Sequence, residues 1–150
     1  MCKGAFNVKT KLLSWLLTLS LLMTMLPTAA FAADGASENP YEVSTAEELS
    51  TALINIAAST EDEATIVLKA DVTLSNDATS GYISSFGAKG KHITVKSDEG
   101  EMKKLSFPSY GVLNGDCTFD NVNVTGSRLF CNGYRTIFTE NGQIHLSETL

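Results

Sequence analysis

The sequence of 150 residues contains few cysteines and prolines, a single tryptophan and no acidic residue before Asp34. Three cysteines are too few for a disulfide-dense scaffold. Acidic residues outnumber basic ones by 17 to 11, and this excess excludes a basic nucleic-acid-binding domain. A hydrophobic content of 43% excludes a disordered chain. The composition indicates a folded acidic protein and names no reaction.

The first 32 residues have the three parts of a secretory signal peptide. Three lysines lie before residue 12, a leucine-rich run covers residues 12–26, and small residues follow at Ala30 and Ala32. We predict cleavage between Ala32 and Ala33, and a secreted or cell-surface location. The apolar run is shorter than the roughly 20 residues that span a bilayer, so we expect no membrane span after cleavage. An uncleaved anchor is the alternative.

Residues 33–150 keep all 17 acidic residues and lose three of the 11 basic ones, so their formal net charge is −9 rather than −6. This charge disfavours nucleic acid as a partner and leaves divalent cations and sugars open. Cys117 and Cys131 lie next to apolar residues, which favours buried thiols, although export also permits a disulfide. His92 and His145 are isolated, so no zinc-binding spacing is present.

One amphipathic helix is predicted after a leader and short strand over residues 33–43. Ser44 with Glu47, and Thr45 with Glu48, have the capping-box spacing, which places the helix at residues 44–58. An apolar stripe at helical spacing indicates that one face covers a core; its members are Leu49, Ala52, Leu53 and Ile56.

Residues 64–150 consist of short β-branched runs separated by Gly, Asn, Asp and Ser. The predicted strands are 65–68, 72–74, 92–95, 104–107, 122–124, 136–138 and 144–146. Residues 66–71 match residues 93–98 at an offset of 27, and 120–124 match 140–144 at an offset of 20. These repeats predict an all-β solenoid of parallel rungs, with the helix covering the first rung. A β-sandwich is the alternative.

The order of residues 41–49, 65–74 and 117–126 resembles right-handed parallel β-helix proteins of the pectate-lyase-like superfamily. That superfamily includes exported bacterial surface proteins, polysaccharide lyases and glycosidases. The resemblance implies a right-handed parallel β-helix with an N-terminal capping helix. No C-terminal cap follows the last predicted strand, so we expect residues 64–150 to be an incomplete set of rungs from the N-terminal portion of a longer protein. A genuinely short protein is the alternative.

Two kinds of candidate site residue follow from these registers. Carboxylates on adjacent rungs could bind calcium or act as an acid–base pair, with solvated turns as the alternative; the two pairs are Asp71 with Asp98 and Asp120 with Glu140. Aromatic side chains near rung loops could stack on sugars, with core packing as the alternative; they are Tyr82, Tyr110 and Tyr134. Phe86 is predicted to lie in the core.

The predicted function is that of a secreted or cell-surface β-helix protein with a structural, adhesive or glycan-contacting role. Its partner would be an extracellular polysaccharide or a cell-surface glycan, and no cofactor other than calcium is expected. The alternative is the N-terminal part of a polysaccharide lyase or glycoside hydrolase. No catalytic triad or phosphate-binding loop is present in the sequence, so no complete active site is predicted.

Overall fold

A computed structural model describes residues 35, 39–76, 83–98 and 100–147. The chain divides into two units, Met1–Ala32 and Ala33–Leu150, and every described residue belongs to the second. The predicted signal peptide, the Ala32–Ala33 cleavage site and Tyr82 lie outside the described residues.

The described residues form one helix, α1 (Ala46–Ala58), and twelve short strands. The strands are β1 (Tyr41–Val43), β2 (Glu63–Leu68), β3 (Val72–Thr73), β4 (Ile83–Phe86), β5 (His92–Ser97), β6 (Lys103–Ser106), β7 (Tyr110–Leu113), β8 (Asp116–Asp120), β9 (Val122–Gly126), β10 (Arg128–Phe130), β11 (Thr136–Phe138) and β12 (Gln143–Leu146).

The strands form three parallel sheets, which the chain visits in turn. The five-stranded sheet has the order β1-β2-β5-β8-β11, the four-stranded sheet β12-β9-β6-β3 and the three-stranded sheet β10-β7-β4. We call three consecutive strands, one in each sheet, a pass; β2-β3-β4 is the first. All pairings between described strands are parallel, so the β-sandwich alternative is wrong for this part of the chain. The topology is compatible with a β-helix-like fold.

The strand registers confirm one predicted repeat and correct the other. Val124 pairs with Ile144, which is the predicted offset of 20. Ile66 pairs with Val95 rather than Ile93, so the offset between β2 and β5 is 29 and the predicted 27 is wrong. A shift of two residues leaves the same side chains facing inward, and the hydrophobic pattern therefore does not separate the two registers.

Helix α1 begins with the predicted capping box. The Thr45 hydroxyl accepts a hydrogen bond from the Glu48 backbone N–H at 3.2 Å, and the Glu48 carboxylate accepts from the Thr45 N–H at 3.1 Å. The same carboxylate accepts from the Ser44 N–H at 2.7 Å. Leu49, Ala52 and Ile56 are buried in the same hydrophobic cluster as the inward side chains of the first strands. The predicted helix and its apolar face are confirmed, although the helix begins at Ala46 rather than at residue 44.

Inward side chains from successive passes form columns in the core. Register places Ile66, Val95, Phe119 and Phe138 in one such column of the five-stranded sheet. The Phe119 ring lies 5.2 Å from that of Phe138 and 6.0 Å from that of Phe86, between centroids. Phe86 is fully buried, which confirms its predicted place in the core.

The core is less covered at β12. Val124 is fully buried, whereas Ile144, in the next position of its column, is 42% exposed. Leu146, paired with Gly126, is 45% exposed. At the opposite end of the strand order, β1 lies beside β2 and helix α1 lies beside β1.

Gly115, between β7 and β8, marks a close approach of two backbone segments. A Cβ atom there would meet the Ala88 carbonyl oxygen and lie 3.0 Å from the Ala88 N and C atoms. Because these are backbone atoms in a buried turn, we expect Gly115→Ala to lower the free energy of unfolding by about 2–3 kcal/mol.

Urea denaturation of this variant beside Gly133→Ala provides the comparison. Gly133 has φ +81° with nothing within 4 Å of an added Cβ, so only backbone strain of about 1 kcal/mol applies. Equal losses in the two variants would contradict the importance of the Gly115–Ala88 approach.

Candidate functional site

A cleft of about 350 Å³ lies at the corner where the chain enters successive strands of the five-stranded sheet. The cleft combines carboxylates, an imidazole, an ammonium group and a phenol ring. Its lining residues are Asp62, Glu63, Gly90, Lys91, His92, Asp116 and Tyr134.

Parallel register brings the polar side chains of the cleft into one row. Glu63 pairs with His92, and His92 pairs with Asp116, each at the first residue of its strand. The next residue of each strand is buried, so alternation places the three side chains on the outer surface. Arg135 continues the row, because its backbone N–H donates to Asp116 Oδ1 at 2.9 Å.

Hydrogen bonds fix two members of this row. His92 Nε2 lies 2.9 Å from the Thr118 hydroxyl oxygen of the neighbouring strand. Asp116 accepts the Arg135 N–H through Oδ1, and its Oδ2 lies 3.9 Å from Arg135 Nε. Both groups are half-buried, so the strand framework rather than a mobile loop sets their positions.

Lys91 closes one wall of the cleft. Its Nζ donates to the carbonyl oxygens of Ser59 and Glu61, at 2.9 and 2.6 Å, and lies 3.8 Å from Asp62 Oδ1. Only 12% of the Lys91 side chain is exposed, whereas 90% of the Asp62 side chain is exposed. The ammonium group therefore anchors the chain between α1 and β2, and the Asp62 carboxylate faces solvent.

The two predicted tyrosines that the structure describes are not brought together. Tyr134 lines the cleft. Tyr110 starts β7 in the three-stranded sheet, where its ring lies 6.3 Å from the Phe130 ring and 6.0 Å from the Arg128 guanidinium carbon. Tyr82 lies outside the described residues.

The predicted carboxylate pair Asp71 and Asp98 does not occupy adjacent register positions. The offset of 29 puts Asp98 beside Lys69, and their Oδ2 and Nζ atoms lie 2.9 Å apart. This hydrogen bond raises the pKa of Lys69. Asp71 Oδ1 instead accepts the Lys104 backbone N–H at 2.8 Å.

The second predicted pair, Asp120 and Glu140, lies at neighbouring corners of the third and fourth passes. Asp120 Oδ1 accepts a hydrogen bond from the Thr139 hydroxyl at 2.6 Å, and Glu140 is exposed. Across residues 39–76, 83–98 and 100–147, no three His, Cys, Asp or Glu side chains are grouped to hold a metal ion.

The two described cysteines are free thiols. Cys117 is buried behind the cleft, and its Sγ donates to the Gly115 carbonyl oxygen at 3.4 Å. Burial, with a smaller effect from the Asp116 charge, raises the pKa of Cys117 to about 12. The thiol is therefore protonated at neutral pH and is a poor nucleophile.

A larger cavity, of about 580 Å³, lies between α1 and β1. Three glutamates line it, Glu42, Glu47 and Glu48. The Glu48 carboxylate is already bound to two backbone N–H groups of the capping box. Tyr41 also lines this cavity but is buried, and no imidazole or ammonium group is among the lining residues, so the smaller cleft is the stronger candidate.

Six of the seven lining residues were not predicted as site residues from the sequence: Asp62, Glu63, Gly90, Lys91, His92 and Asp116. One signal was available, because Glu63, His92 and Asp116 each stand directly before the first inward residue of a strand. Aligning strand starts, instead of searching for a constant repeat length, would have placed them in one row.

The chain matches no protein-family model, no curated protein and no solved structure. Within the described part of the chain, α1 is too short and too polar to cross a membrane.

Proposed function

We propose that this chain is an exported parallel β-helix protein that binds an extracellular glycan in the lateral cleft. The single observation that carries the proposal is the cleft itself, in which the Tyr134 ring lies with the row Glu63, His92 and Asp116. Export is supported by the signal-peptide pattern of residues 1–32.

The β-helix assignment is supported by the order in which strands enter the three sheets. Among the described residues, each of the first three passes adds one parallel strand to each sheet, the fourth adds β11 and β12, and each inward column continues from one pass to the next. The proposal includes a right-handed path of the chain and membership of the pectate-lyase-like superfamily. Both rest on the resemblance of residues 41–49, 65–74 and 117–126 to proteins of that superfamily.

The cleft has the chemistry that carbohydrate recognition requires. Carboxylates accept hydrogen bonds from sugar hydroxyls, and an imidazole nitrogen can donate or accept. An aromatic ring packs against the apolar face of a pyranose. Strand backbones hold Glu63, His92 and Asp116 in fixed positions, so little entropy of these side chains is lost on binding.

A glycoside hydrolase is the second candidate, favoured by the positions of Glu63 and Asp116. They begin β2 and β8, which flank β5, so their backbones are about 9.6 Å apart. This backbone spacing is just above the range of about 6.5–9.5 Å that separates the two carboxyl groups of inverting glycosidases, and the side chains could bring the carboxyl groups of Glu63 and Asp116 within that range. A polysaccharide lyase is less well supported, because the Lys91 ammonium group already binds two backbone carbonyls.

An array of plant, fungal and bacterial polysaccharides tests the binding proposal. We expect the labelled protein to be retained on at least one glycan class, and Tyr134→Ala to weaken that binding about tenfold through loss of the stacking surface. Tyr110→Ala is the matched control, because Tyr110 packs on a different sheet. Retention on no glycan, or equal behaviour of the two variants, would contradict the proposal.

Incubation of the protein with the retained glycan separates binding from hydrolysis. New reducing ends that disappear in both Glu63→Gln and Asp116→Asn would favour the hydrolase. An intact glycan would favour a binding role.

A further inference from the structure

We infer that the cleft takes a glycan of amino sugars with free, protonated amines, such as a β-1,4-linked glucosamine chain. The inference rests on the proposed glycan binding and adds the chemical class of the ligand. It is carried by three features of the cleft: its charge, the spacing of two carboxylates and the neighbouring ring.

The charge of the cleft favours a cationic ligand. Three carboxylates line the cleft, Asp62, Glu63 and Asp116, against the ammonium group of Lys91 and the neighbouring guanidinium group of Arg135, whose Nε lies 3.9 Å from Asp116 Oδ2. That ammonium group is only 12% exposed and donates to two backbone carbonyls. A polyuronate would bring one more carboxylate per sugar beside these groups. A protonated amine would instead form charge-assisted hydrogen bonds with them.

The spacing of Glu63 and Asp116 suits an alternating chain. Two strand separations, about 9.6 Å, lie between their positions in the row. In a β-1,4-linked pyranose chain, successive sugars face opposite ways, so the 2-amino groups on one edge recur at every second sugar. Two sugars advance by nearly the same length as two strands. A chain lying across the strand starts would therefore present one amine to Glu63 and the next amine on that edge to Asp116.

Tyr134 and His92 distinguish a sugar-binding site from a site that binds any cation. His92 lies between the two carboxylates, opposite the sugar whose amine points away from the row. Tyr134 lies in the same cleft and offers a ring surface for the apolar face of a pyranose. A flexible polyamine would gain the ionic contacts and would not gain the stacking contact.

Isothermal titration calorimetry with four hexamers tests the inference. The probes are hexaglucosamine, its fully N-acetylated form, hexagalacturonate and hexalysine, each at low and physiological ionic strength. We expect hexaglucosamine to bind at least about tenfold more tightly than the acetylated form, and hexagalacturonate to bind more weakly still. Hexalysine controls for nonspecific attraction to an acidic protein.

Conservative variants locate the binding. Glu63→Gln and Asp116→Asn should each weaken hexaglucosamine binding about tenfold and change binding of the acetylated form less. Glu140→Gln is the matched control, since Glu140 is an exposed carboxylate outside the cleft. Tyr134→Ala should weaken hexaglucosamine binding without changing hexalysine binding. Circular dichroism of every variant checks that the fold is retained.

The outcomes distinguish this inference from the proposed function. Equal affinity for the acetylated and free hexamers, or tighter binding of hexagalacturonate, would overturn the amino-sugar assignment and leave glycan binding standing. Equal affinity for hexalysine and hexaglucosamine would also overturn the assignment, because charge alone would then explain the binding. Failure of all three glycans to bind would count against both.

Discussion

Phe119→Ala is expected to lower the free energy of unfolding by about 3–5 kcal/mol, the range for removing a large buried aromatic side chain. Phe119 is fully buried, and its ring lies between those of Phe86 and Phe138, which belong to different passes. Truncation removes packing between three passes at once and leaves a cavity. Urea denaturation followed by far-ultraviolet circular dichroism measures the loss.

Phe130→Ala is the matched control for this substitution. Phe130 is 46% exposed, and Tyr110 provides its ring contact, so a loss of about 1 kcal/mol or less is expected. If Phe119→Ala is too unstable to isolate, Phe119→Leu should show a smaller loss in the same direction. A loss at Phe119 no greater than at Phe130 would contradict the column packing.

Alkaline pH is expected to destabilise the wild-type protein through the Cys117 thiol. Burial raises the pKa of this thiol from 9.0 to about 12. Below pH 9 the thiol is protonated in both folded and unfolded chains, and its contribution to stability is fully present. As the pH rises from 9 towards 12, the unfolded chain loses the proton and the folded chain keeps it. Unfolding is then favoured by about 1.4 kcal/mol per pH unit, or about 4 kcal/mol in total.

The Cys117→Ala variant isolates this contribution, because every other titrating group is shared with the wild-type protein. The difference in unfolding free energy between wild type and variant should shrink steadily above pH 9, as measured by urea denaturation at several pH values. Parallel pH dependence of the two proteins would show that Cys117 does not titrate in the unfolded chain alone.

Several features of the fold could be predicted from local chemistry. The capping residues Thr45 and Glu48 fixed the start of α1, and its apolar spacing identified the buried face. Short β-branched runs located β2, β5 and β9, and the similarity of residues 120–124 to 140–144 gave the register of β9 with β12. The helix and the strands depend on neighbouring residues. The register of β9 with β12 could be predicted because the passes on either side of β9 have nearly equal length.

The three-stranded sheet was missed because β4 and β7 each have one large inward side chain, Phe86 and Leu113, and small residues hold their other inward positions. Ser84 and Gly111 occupy them in β4 and β7, so neither strand shows alternating large apolar side chains. The reason is spatial: a Cβ on Gly111 would lie 2.6 Å from Cδ1 of Phe107, whose ring fills that part of the core. The close approach of Phe107 to Gly111 crosses a corner between two strands, and a local sequence pattern does not reveal such a contact. It requires a small residue at a position where a large hydrophobic residue would have indicated a strand.

The cleft was missed because successive passes differ in length. Glu63 pairs with His92, His92 with Asp116, and the Arg135 backbone reaches Asp116, so the spacing along the chain shortens at each pass. A search for a constant period cannot align such residues. Only Tyr134 was found, from its residue type and its position beside a glycine.

Each residue of the cleft row belongs to a different pass, and this affects how the row can be changed by substitution. Glu63, His92 and Asp116 come from three consecutive passes, and each pass pairs only with the passes beside it. A substitution or a lengthened turn in one pass would therefore alter one position of the row and leave the backbone of the others in place. If the cleft binds a polymer as proposed, its preference for successive units could be changed one position at a time.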